Sequence, residues 1–416
     1  MKRILLCAMF VLLPTIAGAA EKFDLEVYAS KFDSIPIGVV NFTPTNKSVL
    51  KENLPWEIIA NNFDICGKFS VITSPVFDSA LFVNNNAGIY IDGHYTVEGS
   101  NVTVECNLLD VDTRTLIISK KYKGELKFLR SMIHRYSNEV VEMLFGDKGI
   151  FESRILYVKN EGAKKNIAIM DFDGYNTSML TNSNIINIFP VFADKSTVIW
   201  TSYMRGKPDL YKGSIKDGSS KMFVQGKALT VSPDVSPIDG TVVYASSQTG
   251  SLNVYTCTGN GTNHRRLTFS RGIDTSPNWS PNGYQIAFTS DRGGNPQIYI
   301  MDADGANQRR VTDVGRYNDC ASWSPKGDKI AYASIGENYQ FNIWTVSPSG
   351  GDAQMVANPP GSNESPTWSP DGSLIAFINT KGGRSDLYIV KHDGTKLRRI
   401  TKTGNVKMPR WSGFWN

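Results

Sequence analysis

Polar side chains recur at one phase of a repeat in the second half of this 416-residue chain. They precede a tryptophan by four or five positions, and they are Asp274 with Thr275, Asn318 with Asp319, Asn363 with Glu364, and Lys407. If the repeats form a ring, these side chains converge on its axis, where they could receive a ligand or a protein partner. Carboxylates there could also hold Ca²⁺, which prefers oxygen ligands. Turn-forming preference explains some of the same residues, so both interpretations stay open.

Motifs for known kinds of catalysis are missing from the sequence. There is no G-x-S-x-G nucleophile motif and no glycine-rich phosphate-binding loop after a strand. The histidines lie far apart without metal-ligand spacing, so we expect ordinary surface or strand residues at His94, His134, His264 and His392. The sequence therefore predicts a protein that is not an enzyme, with no catalytic residue and no cofactor beyond Ca²⁺ in a channel. The alternative is a hydrolase or glycan-processing protein with its active site in that channel.

The cysteines form no zinc or redox motif. Those beyond residue 20 are Cys66, Cys106, Cys257 and Cys320, and none shows C-x-x-C spacing. A disulfide between Cys66 and Cys106 is compatible with an oxidising compartment. Small buried thiols are the other interpretation.

The elements that must position the polar groups come from a repeat marked by tryptophan. Trp-Ser begins at Trp279, Trp323, Trp368 and Trp411, in steps of 44, 45 and 43 residues. Between these points lie short runs of β-branched and aromatic residues, each bounded by Gly, Pro, Asn or Asp, as is typical of strands and turns. Four short strands in a period of about 40 to 45 residues are typical of a β-propeller blade.

Counting the repeats predicts how the ring closes. The second, third and fourth strands recur six times from Ile155, and the first strand recurs six times, ending at Trp411 near the chain end. The economical arrangement is a six-bladed β-propeller in which the C-terminal strand completes the blade begun near Ile155. Closure removes the unpaired edges that would favour aggregation. The tryptophans are expected to pack between blades.

The N-terminal residues carry an export signal. Residues 1–20 combine Lys2 and Arg3, an apolar run and small residues at the end, which is typical of a cleavable secretory signal peptide. Its removal takes the formal charge from +5 to +3, because two basic residues and no acid leave. Such a small charge gives no reason to expect nucleic acid or membrane-surface partners.

A different pattern fills the region before the repeats. Residues 21–34 form a short charged segment that could be an edge strand of its own domain or an arm that adds to a partner's sheet. Residues 35–149 predict a small α/β domain, and residues 150–416 form the propeller. The predicted strands are 37–42, 69–73, 88–92, 94–98, 102–109 and 115–121, and the predicted helices are 54–66 and 126–144. The fold class is thus an α/β N-terminal domain followed by an all-β six-bladed β-propeller closed by the C-terminal strand.

Three stretches of sequence resemble a known family. They are IPIGVV at 35–40, KGIF at 148–151 with DFDGYN at 171–176, and VKMPRWS at 406–412. Together with the signal, the α/β domain and the propeller, they resemble the TolB family, the periplasmic proteins of the Tol-Pal system.

That resemblance implies a function in protein-protein interaction. It implies that the propeller binds the peptidoglycan-associated lipoprotein Pal through a rim made of Leu229, Ser232, Asp274, Thr275, Asp319, Glu364 and Lys407. It implies that the N-terminal arm binds the inner-membrane protein TolA through Glu21, Phe23, Leu25, Val27 and Tyr28. A monomer in the periplasm, associated with the outer membrane through Pal, would then maintain outer-membrane integrity and support constriction at cell division.

Overall fold

We describe residues 34–336 and 339–414 of a computed structural model of the chain. The first part of this region forms a mixed sheet in the order β3-β1-β4-β5-β6, with β2 paired to β4. Its strands are β1 Ile35–Val40, β2 Thr43–Pro44, β3 Phe69–Ser74, β4 Ile89–Glu98, β5 Asn101–Asp110 and β6 Leu116–Glu125. Its helices are α1 Pro55–Cys66, α2 Ser79–Asn84 and α3 Leu129–Phe145, the last preceded by a 3₁₀ turn at Leu126–Phe128.

The sequence predicted most of these elements but divided one strand. Residues 88–92 and 94–98 are not two strands, because β4 runs unbroken through Gly93. A Cβ at Gly93 would collide with the Glu105 carbonyl oxygen and the Phe42 ring, so this position needs glycine for close packing. Helix α2 was not predicted; its six residues are too few to show a helical period.

Helix α3 covers the sheet because its apolar residues repeat at helical spacing. Ile133, Tyr136 and Val140 are fully buried in the core that the helix shares with α1 and the sheet. The helix ends at Gly146, whose positive φ of 73° is the left-handed conformation that glycine adopts easily. The first propeller strand begins at Arg154. The predicted boundary at residues 149 and 150 lies between these points and stays a prediction.

The rest of the described chain forms six antiparallel sheets of four strands each. Blade 1 is the blade that contains β7, and the other blades are numbered in sequence order. The strands of each blade are given from the channel outwards. Blade 1 holds β30 Val406–Trp411, β7 Arg154–Glu161, β8 Lys164–Asp171 and β9 Ser178–Met179. Blade 2 holds β10 Asn187–Phe192, β11 Thr197–Ser202, β12 Asp209–Ser214 and β13 Ser220–Val224. Blade 3 holds β14 Thr230–Val235, β15 Val242–Thr249, β16 Ser251–Cys257 and β17 Arg265–Arg266.

The remaining blades follow the same order. Blade 4 holds β18 Asp274–Trp279, β19 Gln285–Ser290, β20 Gln297–Asp302 and β21 Arg309–Arg310. Blade 5 holds β22 Asn318–Trp323, β23 Ile330–Ile335, β24 Phe341–Val346 and β25 Gln354–Ala357. Blade 6 holds β26 Ser362–Trp368, β27 Leu374–Lys381, β28 Arg384–Lys391 and β29 Arg398–Arg399.

The C-terminal strand closes the ring, as predicted. Strand β30 pairs antiparallel with β7, and Trp411 lies opposite Ile155. The indole Nε1 of Trp411 donates to Ser153 Oγ at 2.8 Å, and the backbone N of Arg154 donates to Ser412 Oγ at 3.1 Å. Blade 1 is therefore made from both ends of the propeller sequence.

The tryptophans lie between blades, also as predicted. Trp279, Trp323, Trp368 and Trp411 are only 5–8% exposed. Hydrogen bonds between blades reinforce this packing. The side chain of the residue just before the tryptophan position in one blade accepts from the backbone N–H of the tryptophan in the next blade. The N–H of Trp279 donates to Asp234 Oδ2 at 2.7 Å, and the N–H of Trp323 donates to Asn278 Oδ1 at 2.6 Å.

The propeller has two unlike faces. Because strands alternate in direction, the turns after the first and third strands of every blade share one face, which we call the covered face. The N-terminal α/β region packs there against blades 1 and 6, and Phe151, Phe172 and Leu387 belong to one apolar core with α3. Turns after the second strand and connections between blades share the other face, which we call the open face.

Two further findings concern the thiols and the helices. Cys66 and Cys106 are both buried free thiols, so the described structure contains no disulfide between them. Burial raises the pKa of the Cys66 thiol to about 12, which keeps it protonated. None of the described helices has the length and apolar character needed to cross a membrane.

Candidate functional site

The mouth of the channel on the open face is built from a bulge repeated in the innermost strands. In each blade, the pairing register between the innermost strand and the second strand shifts at the same position of the repeat. The first residue of every bulge has a left-handed backbone, with φ between +47° and +57°. These residues are Phe189, Ser232, Ser276, Cys320, Ser365 and Met408. With the residues that follow them, they line one cavity at the channel axis.

The bulges form a stiff wall around the channel. A left-handed conformation costs a non-glycine residue about 1–2 kcal/mol, so it persists only where the surrounding structure imposes it. Proline follows the left-handed residue in the blades other than blade 5, which has Ala321. A bulge leaves the extra residue unpaired, so a proline without N–H costs no ladder hydrogen bond there.

A signal for this wall was present in the sequence. Proline stands two positions before Trp279, Trp368 and Trp411, and the same spacing precedes Phe192 and Val235. A different proline follows the tryptophan in the W-S-P motif, at Pro281, Pro325 and Pro370, and it marks a turn on the covered face. The proline before the tryptophan marks the open mouth.

Four of the predicted rim residues lie immediately before the bulges. The second residues of the innermost strands in blades 4, 5 and 1 are Thr275, Asp319 and Lys407, and Glu364 is the third residue of that strand in blade 6. All four are half-buried. They belong to the strands themselves and not to the connections between blades, because each innermost strand begins earlier than its apolar residues indicate. Leu229 does lie in a connection, and it is 45% exposed.

Neighbouring hydroxyls hold the polar rim side chains in place. Asp319 Oδ1 accepts from Thr289 Oγ1 at 2.7 Å. Lys407 Nζ donates to Thr380 Oγ1 at 2.9 Å. Their conformations are therefore fixed before any partner arrives.

Asp274 and Ser232 do not offer their side chains as the prediction requires. Asp274 is fully buried; its Oδ1 lies 3.0 Å from Arg292 Nη2, and its Oδ2 accepts from Ser270 Oγ at 2.8 Å. Ser232 is only 7% exposed. The carboxylate of Asp274 is thus paired with Arg292 and has no exposed surface for a partner to contact.

Exposed apolar side chains lie on one side of the open face. They lie mainly in the connections that lead into blades 3, 4 and 5, with one on the turn after β11. They are Met204, Leu229, Phe269, Ile273, Val314 and Tyr317, and their exposed fractions range from 36% to 71%. Arg205, Lys227, Arg271 and Arg316 are exposed in the same turns. An apolar rim with basic side chains is suited to binding another protein.

An ion pair spans the channel below the mouth. Arg410 Nη2 from the closing strand contacts Asp234 Oδ1 of blade 3, and blade 2 lies between these two blades. Asn278 Nδ2 donates to Asp234 Oδ2 at 2.8 Å. Burial raises the pKa of Asp234, although Arg410 offsets part of that effect. This pair ties three blades together across the axis.

Potential metal ligands assemble elsewhere. Within the described residues, the donor atoms of His134, Asp171 and Asp173 form the one group of three that could hold an ion. The carboxylates at the channel mouth do not form such a group. His134 corrects a prediction, because it lies on α3 with 2% exposure and is neither a surface nor a strand residue. Burial lowers its pKa to about 3, so its imidazole is neutral.

The predicted arm residues lie outside the described part of the chain; they are Glu21, Phe23, Leu25, Val27 and Tyr28.

Comparisons with known proteins agree with this architecture. The profile of the TolB beta propeller domain matches residues 141–415. The chain is 34% identical over 255 residues to the Tol-Pal system protein TolB of Desulfosudis oleivorans. This match covers 57% of this chain and 58% of that protein. It is 36% identical over 189 residues to a TolB homolog of Chlorobaculum tepidum, covering 43% of each chain. The matched regions span about half the length of these curated relatives.

A solved structure supports the fold across both parts of the molecule. TolB from Acinetobacter baumannii superposes with a TM-score of 0.80 at 23% identity, covering 92% of this chain and 97% of that chain. At that identity the likeness concerns the fold alone. Because the domain profile covers more than half of the sequence, the chain belongs to the TolB beta propeller family.

Proposed function

We propose that this protein is a non-enzymatic periplasmic component of a Tol-Pal system that binds the lipoprotein Pal at its open face. The observation that carries the proposal is the group of exposed apolar and basic side chains beside a rigid channel mouth. Relatives matched over part of their length are named Tol-Pal system proteins, which supports the same assignment. Through Pal, the protein would help to maintain the outer membrane and support constriction at division.

The chemistry of the mouth favours binding over turnover. Asp274 forms an ion pair with Arg292, and Asp234 forms one with Arg410. Neither carboxylate is therefore available to transfer protons to a substrate. The left-handed residues give the wall a fixed shape, which lowers the ordering cost of docking. Exposed aromatic residues such as Phe269, at 71%, are the side chains that commonly dominate interface energies.

Two exposed aromatic residues provide a matched test. Phe269 lies on the open face, whereas Tyr284, 74% exposed, lies on a turn of the covered face. We expect Phe269→Ala in the full exported chain to weaken binding to the soluble part of Pal by about tenfold or more. Tyr284→Ala should leave the Kd unchanged. Biolayer interferometry with purified Pal from the same organism measures both.

Two results would contradict the proposal. One is the absence of Pal binding by the wild-type protein, and the other is an equal loss of affinity in both variants. Turnover of a peptide or glycan in the channel would favour the enzymatic alternative.

The N-terminal arm is a separate part of the proposal. Residues 21–34 would bind TolA, so their deletion should abolish TolA binding in a pull-down while the Tm hardly changes. A large fall in Tm would instead assign these residues to a structural strand.

A further inference from the structure

Three potential metal ligands meet where helix α3 contacts the covered face. His134 comes from the middle of α3, Asp171 ends β8, and Asp173 lies in the turn that follows. One ligand atom from each lies within 4.8 Å of the others. In a tetrahedral zinc site with bonds of about 2.0–2.2 Å, ligand atoms are about 3.4 Å apart. Small side-chain rotations would therefore close the group around an ion.

His134 is the independent indication that a ligand belongs here. Its side chain is 2% exposed, and neither Nδ1 nor Nε2 has a hydrogen-bond partner among the described residues. Buried polar atoms nearly always have a partner, because losing water without compensation is costly. The ring makes a T-shaped contact with Phe172 at 5.4 Å between centroids, and this apolar contact gives its nitrogens no hydrogen bond.

The charges of the site also favour a divalent cation. Arg130 Nη2 contacts Asp173 Oδ2 and neutralises one of the two carboxylates. Asn176 Nδ2 donates to Asp171 Oδ2 at 2.5 Å, which leaves Oδ1 of that carboxylate for a metal ion. The carboxylate of Asp171 keeps its negative charge and is half-buried. A bound cation would offset the cost of that partial burial.

The same turn occurs in blade 4 without the histidine. There Asn307 Nδ2 donates to Asp302 Oδ2 at 2.6 Å, as Asn176 does to Asp171. Asp304, the counterpart of Asp173, is exposed to solvent. The turn alone thus gives one half-buried and one exposed carboxylate. In blade 1 the turn lies against α3, which adds the imidazole of His134 and buries Asp173.

We propose that His134, Asp171 and Asp173 bind one Zn²⁺ ion at the junction between α3 and blade 1. A mixed set of one imidazole nitrogen and carboxylate oxygens suits zinc and similar transition metals, whereas Ca²⁺ and Mg²⁺ take oxygen ligands. The ion would join the N-terminal α/β region to the first blade. This site is separate from the open mouth and does not depend on Pal binding.

Isothermal titration calorimetry on the exported chain tests the proposal. After removal of metals with a chelator, the protein is titrated with ZnCl₂, with CaCl₂ as the comparison. We expect one Zn²⁺ per chain, with binding at least about tenfold weaker in Asp171→Asn. Asp302→Asn is the matched control, because it changes the same turn in blade 4 and should bind as the wild type does.

A spectroscopic measurement places the histidine in the site. Co²⁺ in place of Zn²⁺ should give visible absorption in the wild-type protein and lose it in His134→Gln, with circular dichroism showing that the variant is folded. Absence of Zn²⁺ binding, tighter binding of Ca²⁺, or wild-type binding by Asp171→Asn would each overturn the proposal. Equal loss in Asp302→Asn would do the same.

Discussion

One turn of the blade occurs in two very different surroundings, in blades 1 and 6. Asp173-Gly174 and Asp393-Gly394 both join the third strand to the fourth. Asp173 is 5% exposed beneath α3, and this burial raises its pKa, although Arg130 offsets part of the rise. Asp393 has a side chain 42% exposed. The comparison shows that the repeat determines the backbone conformation of the turn. The helix that covers the turn determines the burial and the pKa of the equivalent aspartate.

Phe172 gives the largest expected difference between these turns. It is fully buried between His134 and Phe151, whereas its counterpart His392 is half-exposed. Phe172→Ala should lower the free energy of unfolding by about 3–5 kcal/mol, because it leaves a cavity between α3 and blade 1. His392→Ala should change it by about 0.5 kcal/mol or less. Urea unfolding followed by fluorescence compares them, and equal losses would show that α3 does not distinguish the turns.

The two aspartates give the next largest difference. Asp173→Asn leaves the buried Arg130 guanidinium beside a neutral amide, so we expect a loss of about 2 kcal/mol. Asp393→Asn at neutral pH should cost about 0.5 kcal/mol, because Asp393 is a surface side chain whose ion pair with Lys391 is screened by water. Both are measured by urea unfolding in buffer with chelator, so that metal binding does not contribute. A larger loss in Asp393→Asn would reverse the comparison.

The smallest effect concerns pH and the exposed turn. Partial burial raises the pKa of Asp393, but hydrogen bonds from Thr395 and Lys391 outweigh it and lower the pKa to about 2. Since the unfolded value is about 3.9, this carboxylate stabilises the folded state above that pH and loses its effect as pH falls towards 2. The Tm difference between wild type and Asp393→Asn should therefore shrink on acidification from about pH 5. A difference that grows would mean that the folded pKa is raised.

The sequence predicted the propeller well because its signals are local and repeated. Trp411 at the expected spacing was enough to predict that β30 completes blade 1. The burial of Asp274 could not be predicted, since it depends on an ion pair with Arg292 from the turn after the next strand. His134 shows the same limit, because nothing near it in the sequence reveals that Asp171 and Asp173 will pack against its helix.

The pairing of β30 with β7 has a consequence for the order of folding. Ile155 and Trp411 stand at opposite ends of the propeller sequence, so blade 1 can close only when the whole segment is present, whereas the five other blades are each made from consecutive strands. A chain cut short before Val406 would keep an unpaired edge on β7 and an unfilled wedge in the ring. Closure of blade 1 therefore separates a complete propeller from a truncated one.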